Sequence, residues 1–260
     1  MSNLANEPEL LSRVEDGIAI LTLNRPAARN ALSFSLMGEL LEAFARLDPA
    51  VRVVVIAGNG PAFCSGHDLR EFRAAPDRHR YEQVFDRCTA LMLAIRRCPR
   101  PVIAQVHGVA TAAGCQLVAG CDLAVAESGA RFATPGVDIG LFCSTPAVAL
   151  SRAVGRKPAM EMLLTGEPID AEEARRIGLI NRVVPPSSLA PEVMALARQI
   201  ATKSSAVIAM GKEAFYRQAE LGLEEAYRHA SGVMVRNLLE ADADEGIDAF
   251  LGKRKPEWRG

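Results

Sequence analysis

The apolar positions of the chain fall into compact runs and helical stripes that alternate. Gly17–Leu23 is an apolar run closed by Asn24-Arg25-Pro26, the pattern of a strand ending in a turn. Ser33 then stands as a helix cap. Behind it Leu36, Met37, Leu40, Leu41, Phe44 and Leu47 recur at helical spacing until Asp48-Pro49 stops the pattern. Val51–Ala57 is a β-branched run of the kind buried on both faces in a parallel sheet. The unit repeats, with Tyr81–Cys98 predicting a helix, Pro101–Val106 a strand, and Leu123–Ala126 a further short strand. Strands alternating with helices predict parallel pairing through right-handed crossovers, an α/β fold.

From Pro146 onward helical patterns dominate, and only Asn181–Val184 still reads as extended. Asp170 and Glu173 form a capping box, with Gly178 as the matching stop. After Pro185-Pro186, three helical stretches are expected up to about Phe250, with Ala209, Met210, Phe215, Ala226, Val233, Val235 and Leu238 as apolar positions. Their stripe can pack on the same chain or on another subunit.

Composition narrows the function classes. A length of 260 residues with 49% hydrophobic side chains suits one large domain, or one domain with a helical appendage. Lys and Arg number 30 against 31 Asp and Glu, so the net charge of -1 offers no footprint for nucleic acid or an anionic membrane, and neither is expected as a partner. Six cysteines without a CxxC pair, and a Met1–Leu11 segment that is neither a basic leader nor an apolar signal core, lead to an expectation of reduced thiols and a cytoplasmic location. No apolar stretch approaches the ~20 residues of a membrane span, so a soluble protein is expected. There is no HExxH, Cys/His cluster or calcium loop, and no Walker A loop or GxGxxG after a strand. Neither a metal nor a nucleotide triphosphate is expected.

Two turns carry candidate chemistry. Asn59–Leu69 leaves a hydrophobic strand and holds two glycines and a proline; Gly66 permits a tight turn that lets the His67 N–H face a ligand. Gly108–Gln116 follows a buried strand with small residues and leads into Leu117-Val118-Ala119, which reads as a helix entrance suited to an anionic oxygen. Either turn alone is equally compatible with close packing of helix on strand.

Together and in this order, these segments resemble the crotonase superfamily, the enoyl-CoA hydratase/isomerase group. The resemblance runs through Leu23-Asn-Arg-Pro26, Asn30-Ala-Leu32, Ala62–Leu69, Gly108–Gln116, Phe132–Pro135, Leu164–Gly166, Gly178–Val184 and Phe250–Pro256. It implies a stacked ββα spiral over residues 1–195 holding an acyl-CoA site. Residues 196–260 would form a helical region for trimer or dimer-of-trimers assembly and coenzyme A contact. Coenzyme A then enters as part of the substrate, with no permanently bound cofactor. The oxyanion hole falls to the backbone N–H groups of His67 and Ala113, and Ala62, Cys64, Gly66, Asp68 and Leu69 join these two as residues expected to bind the acyl-CoA. Arg25 and Lys253 match positions near the coenzyme A phosphates.

The resemblance breaks where a hydratase needs its glutamates. The matching positions are Gln116 and Gly136, and neither can take a proton near neutral pH, which leaves Gln116 the expected task of orienting water or substrate. Substitutes for an acid or base are His67, Asp138 and Cys143, while Ser144 reads first as a helix start. The His67 ring can act directly or lie against Asp68. His79, His107 and His229 read as surface or structural residues. Three functions remain open: an enzyme working through a thioester enolate or oxyanion, a non-catalytic acyl-CoA-binding protein, and a conventional enoyl-CoA hydratase.

Overall fold

The computed structural model describes residues 8–74 and 76–259; the stretch Met1–Glu7, part of the segment read above for a leader, lies outside them. The strands in chain order are β1 (Leu10–Glu15), β2 (Ile18–Leu23), β3 (Val53–Gly58), β4 (Val102–Val106), β5 (Val109–Thr111), β6 (Leu123–Glu127), β7 (Arg131–Ala133), β8 (Ile169–Asp170) and β9 (Arg182–Val184). Helices α1 (Phe34–Ala45), α2 (Leu69–Ala74), α3 (Arg78–Arg97), α4 (Ala113–Gly120), α5 (Ser144–Ala153), α6 (Arg156–Thr165) and α7 (Ala171–Arg176) surround them. Four more follow, α8 (Leu189–Ala201), α9 (Ser205–Gln218), α10 (Leu223–Leu238) and α11 (Ala241–Leu251), where the hydrophobic pattern predicts three.

One sheet has the order β1-β2-β3-β4-β6-β9 and a second the order β5-β7-β8. In the large sheet every neighbouring pair from β2 to β9 is parallel, as the alternation of strand and helix predicts; β1 adds an antiparallel edge. That edge has no hydrophobic signature because Leu11 to Glu15 all face solvent. The central strands are largely apolar because both faces are covered. Ala19, Leu21, Val54 and Ile56 pack with Leu36, Met37, Leu40, Leu91 and Ile95 of α1 and α3. On the opposite face Ile18, Ile20, Val53, Val55, Ile103 and Val125 pack against Leu189, Val193, Leu196 and Ala197 of α8. The expected division at 195/196 therefore falls inside a helix that seals the sheet.

The cap residues act as their types predict. Ser33 Oγ accepts from the Leu36 N–H at 3.0 Å, and Asp170 accepts from the Glu173 N–H at 2.8 Å. Beyond α8 a buried ion pair ties α9 to the core. Lys212 Nζ donates to Asp122 at 2.6 Å and to the Ile95 and Arg100 carbonyls, and the Tyr216 hydroxyl donates to the same carboxylate at 2.7 Å. Of the expected apolar tail positions, Ala226 and Val233 are buried, whereas Phe215, Val235 and Leu238 are exposed.

Candidate active site

The loop after β3 is laid along β5 by backbone hydrogen bonds. Phe63 N–H donates to His107, Cys64 N–H to Val109, and Thr111 N–H back to Cys64, at 3.0, 3.1 and 3.0 Å. Asn30, fully buried at a positive φ of 54°, braces this loop by donating to the Asn59 and Ala62 carbonyls at 2.8 and 2.7 Å. Sequence reasoning placed Asn30 in a matching motif without giving it a task; a buried Asn before two apolar residues was the available signal.

Gly66 turns with φ +96°, and a Cβ there would lie 2.9 Å from the Ala112 Cβ and 3.4 Å from the Ala113 nitrogen. This glycine is what lets the two turns touch. Leu32 N–H donates to Gly66 at 2.7 Å and Asp68 N–H donates to Leu32 at 3.2 Å, so both neighbours of His67 are pinned on one side. Across from it, Ala112 holds φ 50° and ψ −116°, a strained conformation for a residue with a side chain, and donates to Ala133 at 2.9 Å. That strain opens α4 at Ala113, whose N–H belongs to the unsatisfied first turn of the helix. Among the described residues, neither the His67 N–H nor the Ala113 N–H meets an acceptor.

Both residues line a cavity of ≈ 640 Å³ whose wall is mainly apolar, including Leu69, Phe72, Phe85, Leu141 and Phe142. Gly136, Asp138, Cys143 and Ser144 line it as well, so the structure brings most of the expected residues together. Asp138 is exposed in the short helix Pro135–Ile139. Ser144 is the first residue of α5, as its sequence context suggests, and its Oγ donates to the Phe142 carbonyl at 3.3 Å.

The structure places several of the expected residues away from the cavity. Gln116 is buried and does not line the cavity; its Oε1 lies 4.0 Å from Cys88 Sγ of α3, so it is not placed to orient water or substrate there. Arg25 is committed internally, to Glu9 and Asp68 at 2.8 Å each and to the Ala31 carbonyl at 2.6 Å. Asp68 accordingly pairs with Arg25 and not with the His67 ring. Burial works against its charge, but the Arg25 hydrogen bond and the Arg70 amide outweigh it and hold the carboxyl below its ordinary range. Lys253 is exposed beyond α11 and does not line this cavity. Ala62 and Cys64 lie buried beneath the loop, where they shape it without facing the cavity.

The two titrating candidates sit in surroundings that keep them neutral. Burial pushes the His67 imidazole down to about 4, partly offset by the Leu32 backbone, and neither ring nitrogen meets a partner at hydrogen-bonding geometry. The ring packs against Phe72 and Phe85, with centroids 5.7 and 5.4 Å away. Burial also raises the Cys143 thiol, against a smaller opposing hydrogen bond from the Gly136 backbone, so it is no activated nucleophile. Gly136 is more than an empty position. A Cβ on it would lie 2.7 Å from the Leu141 carbonyl oxygen and 2.8 Å from Cys143 Sγ, so the place of a second acid is filled. Among the other histidines, the His79 ring pairs with Gln83 on the surface and His107 with the Gly60 carbonyl, at 2.9 and 2.8 Å.

Comparison with known proteins decides the family. Residues 13–260 match the family description Enoyl-CoA hydratase/isomerase. The chain belongs to the enoyl-CoA hydratase/isomerase family. Its fold is accordingly that of the crotonases. A Mycobacterium smegmatis enoyl-CoA hydratase crystal structure superposes with TM-score 0.95 at 57% identity, covering 98% of this chain and 100% of that one. Human enoyl coenzyme A hydratase domain-containing protein 3 superposes with TM-score 0.94 at 49% identity, over 96% and 100%. The mouse enoyl-CoA hydratase domain-containing protein 3, mitochondrial, is 51% identical over 258 residues, 97% of this chain and 85% of its own length. Rat and human relatives carry the same name. The expectation of a cytoplasmic location is overturned by these relatives, which are named as mitochondrial. Cysteine usage, on which it rested, distinguishes oxidising from reducing surroundings and not one reducing compartment from another.

Proposed function

We propose that this family member binds acyl-CoA thioesters and stabilises the enolate or oxyanion that develops at the thioester carbonyl. The observation that carries the reading is the pair of unbonded N–H groups, those of His67 and Ala113, on residues lining one apolar cavity. With the carbonyl oxygen between them, an α proton passes to a base while its electron pair moves onto that oxygen. Removal of one such donor typically costs roughly 3–4 kcal/mol of transition-state stabilisation. Burial makes the His67 ring resist a proton and keeps Cys143 a thiol, so the base assigned here is Asp138, the exposed carboxylate of the cavity. Coenzyme A arrives with the substrate, and no permanent cofactor enters the scheme. The exposed apolar residues of α9 to α11 support assembly as a trimer or a dimer of trimers.

A second reading, a non-catalytic acyl-CoA-binding protein, is favoured by the filled position at Gly136 and by Gln116 lying outside the cavity. Conventional hydration has the weakest support, since it asks for acid/base groups at those two places. The test is incubation with a panel of acyl-CoA esters in deuterated water, followed by NMR and mass spectrometry. Exchange of α hydrogens that Asp138→Asn removes is expected. Tight binding without exchange or product across the panel supports the second reading and sinks the first. Hydration of crotonyl-CoA at an ordinary enzymatic rate overturns the second reading and restores the roles denied here to Gln116 and Gly136.

A further inference from the structure

At the far end of α4 from Ala113 lies a second pocket, of ≈ 310 Å³, which shares no lining residue with the acyl cavity. Its floor is apolar, made by Met92 and Leu93 of α3, Val118 and Ala119 of α4, and Val148 and Ala149 of α5. Gln116, turned away from the acyl cavity, borders it too. The mouth is cationic. Arg96 and Arg152 line both this pocket and a wider groove that also carries Arg97, Arg217 and Arg236, which make no ion pair among the described residues.

The structure shows which group the two shared guanidinia take. Both converge on one oxygen of Glu220, in the turn after α9: Arg96 Nη2 donates to its Oε1 at 2.8 Å and Arg152 Nε at 3.5 Å. The Arg96 hydrogen bond first, and then Arg152, hold the Glu220 carboxyl below its ordinary range. Neither guanidinium makes the two-pronged pairing that its shape permits with a carboxylate. The Glu220 side chain is 45% exposed, and exposed ion pairs add little net stability, so an incoming carboxylate displaces it at low cost. The guanidinia are held in place by other contacts. Arg96 lies 4.7 Å over the Tyr216 ring and donates to the Tyr216 carbonyl at 3.3 Å, and Arg152 Nη1 donates to the Val148 carbonyl at 3.1 Å. Asp122, the carboxylate that lines the pocket, is taken by Lys212 and the Tyr216 hydroxyl at 2.6 and 2.7 Å and does not compete for them.

Two oriented guanidinia at the mouth of an apolar pocket fit a negative head on a hydrocarbon tail. A bare phosphate would satisfy the head and leave the floor uncovered; an alcohol would cover the floor and leave the guanidinia to Glu220. We propose that this pocket is a second binding site, for a carboxylic acid with a short hydrocarbon tail, in which Arg96 and Arg152 take the carboxylate in place of Glu220. The acyl cavity has no Lys or Arg in its lining to hold such a head. Binding here does not depend on the acyl-CoA reading.

Calorimetry at pH 7 with octanoate, octanol and inorganic phosphate tests the site. The wild type is expected to bind octanoate roughly tenfold more tightly than octanol, the difference that a charge-assisted hydrogen bond supplies. In Arg152→Gln that ratio falls to near one. In Glu220→Gln, which keeps both guanidinia and removes their internal carboxylate, octanoate binds severalfold more tightly than in the wild type. In the wild type, the ring resonances of Tyr216 move with octanoate while those of the His67 imidazole stay, which places the ligand without any variant. Equal affinity for octanoate and octanol, a ratio that persists in Arg152→Gln, or movement at His67 in place of Tyr216 overturns the proposal. Phosphate binding as tightly as octanoate overturns it too, since the groove would then be a patch of charge with no use for a tail.

Discussion

His67 serves the site twice, through an amide that needs an acceptor and a ring that resists a proton. The ring titrates near 4 in the folded chain against 6.5 when free. Between those values the unfolded chain binds the proton that the folded chain refuses, so stability is complete above about pH 6.5 and is lost as pH falls toward 4. The loss amounts to about 3 kcal/mol. Denaturant unfolding followed from pH 7 to pH 4 should therefore fall more steeply in the wild type than in His67→Gln; equal slopes would contradict the burial argument. Gly136 lends itself to a second substitution. With the Leu141 carbonyl and Cys143 Sγ at 2.7 and 2.8 Å from an added Cβ, Gly136→Glu should lower unfolding free energy by about 1–3 kcal/mol through overpacking and confer no hydration of crotonyl-CoA. A stable variant with hydratase activity would show that the position is merely vacant. Residue identities at 67, 113, 136, 138 and 143 were enough to place these side chains together by motif. The inward turn of Gln116 toward Cys88 was not legible, because the direction of a side chain at a helix entrance is set by packing between α3 and α4, which residue type alone does not specify.

At the scale of elements, the legible parts are those with a period. β2, β3 and β4 are sealed on both faces and read as apolar runs interrupted at Thr22 and Gln105. α1 and α3 carry one apolar stripe each over the same core. β1 escapes because five of its six residues face solvent, and β5, β7 and β8 are too short, at two or three residues, to show alternation. Equally illegible was the attachment of α9, which rests on Lys212 and Asp122, residues 90 apart in sequence and 8% and 16% exposed. Removing one member of a buried pair leaves the other charge unpaired, so Lys212→Met should cost about 3 kcal/mol. Adding Asp122→Asn should restore part of the loss. A thermal or chemical melt in which both variants match the wild type would mean that α9 is held by packing alone.

For the whole molecule, the C-terminal helices leave Phe215, Leu223, Tyr227, Leu239, Phe250 and Leu251 more than 60% exposed, far more apolar surface than a free helix face usually shows. The proposed assembly covers this surface, and light scattering after size exclusion should return the mass of a trimer or hexamer. A monomer at micromolar concentration would leave the stripe unexplained. The family, and with it the broad architecture, was legible because its motifs follow one another along nearly the entire chain. The compartment was not, since a balanced charge and free cysteines describe any reducing interior. What the molecule does still turns on whether the amides of His67 and Ala113 take hold of a thioester oxygen. Isotope-edited infrared difference spectroscopy of butanoyl-CoA carrying carbon-13 at the thioester carbonyl tests this directly: on binding, the carbonyl stretch should shift to lower frequency as two N–H donors draw charge onto the oxygen, and a bound ligand whose carbonyl frequency stays at its solution value would contradict the account.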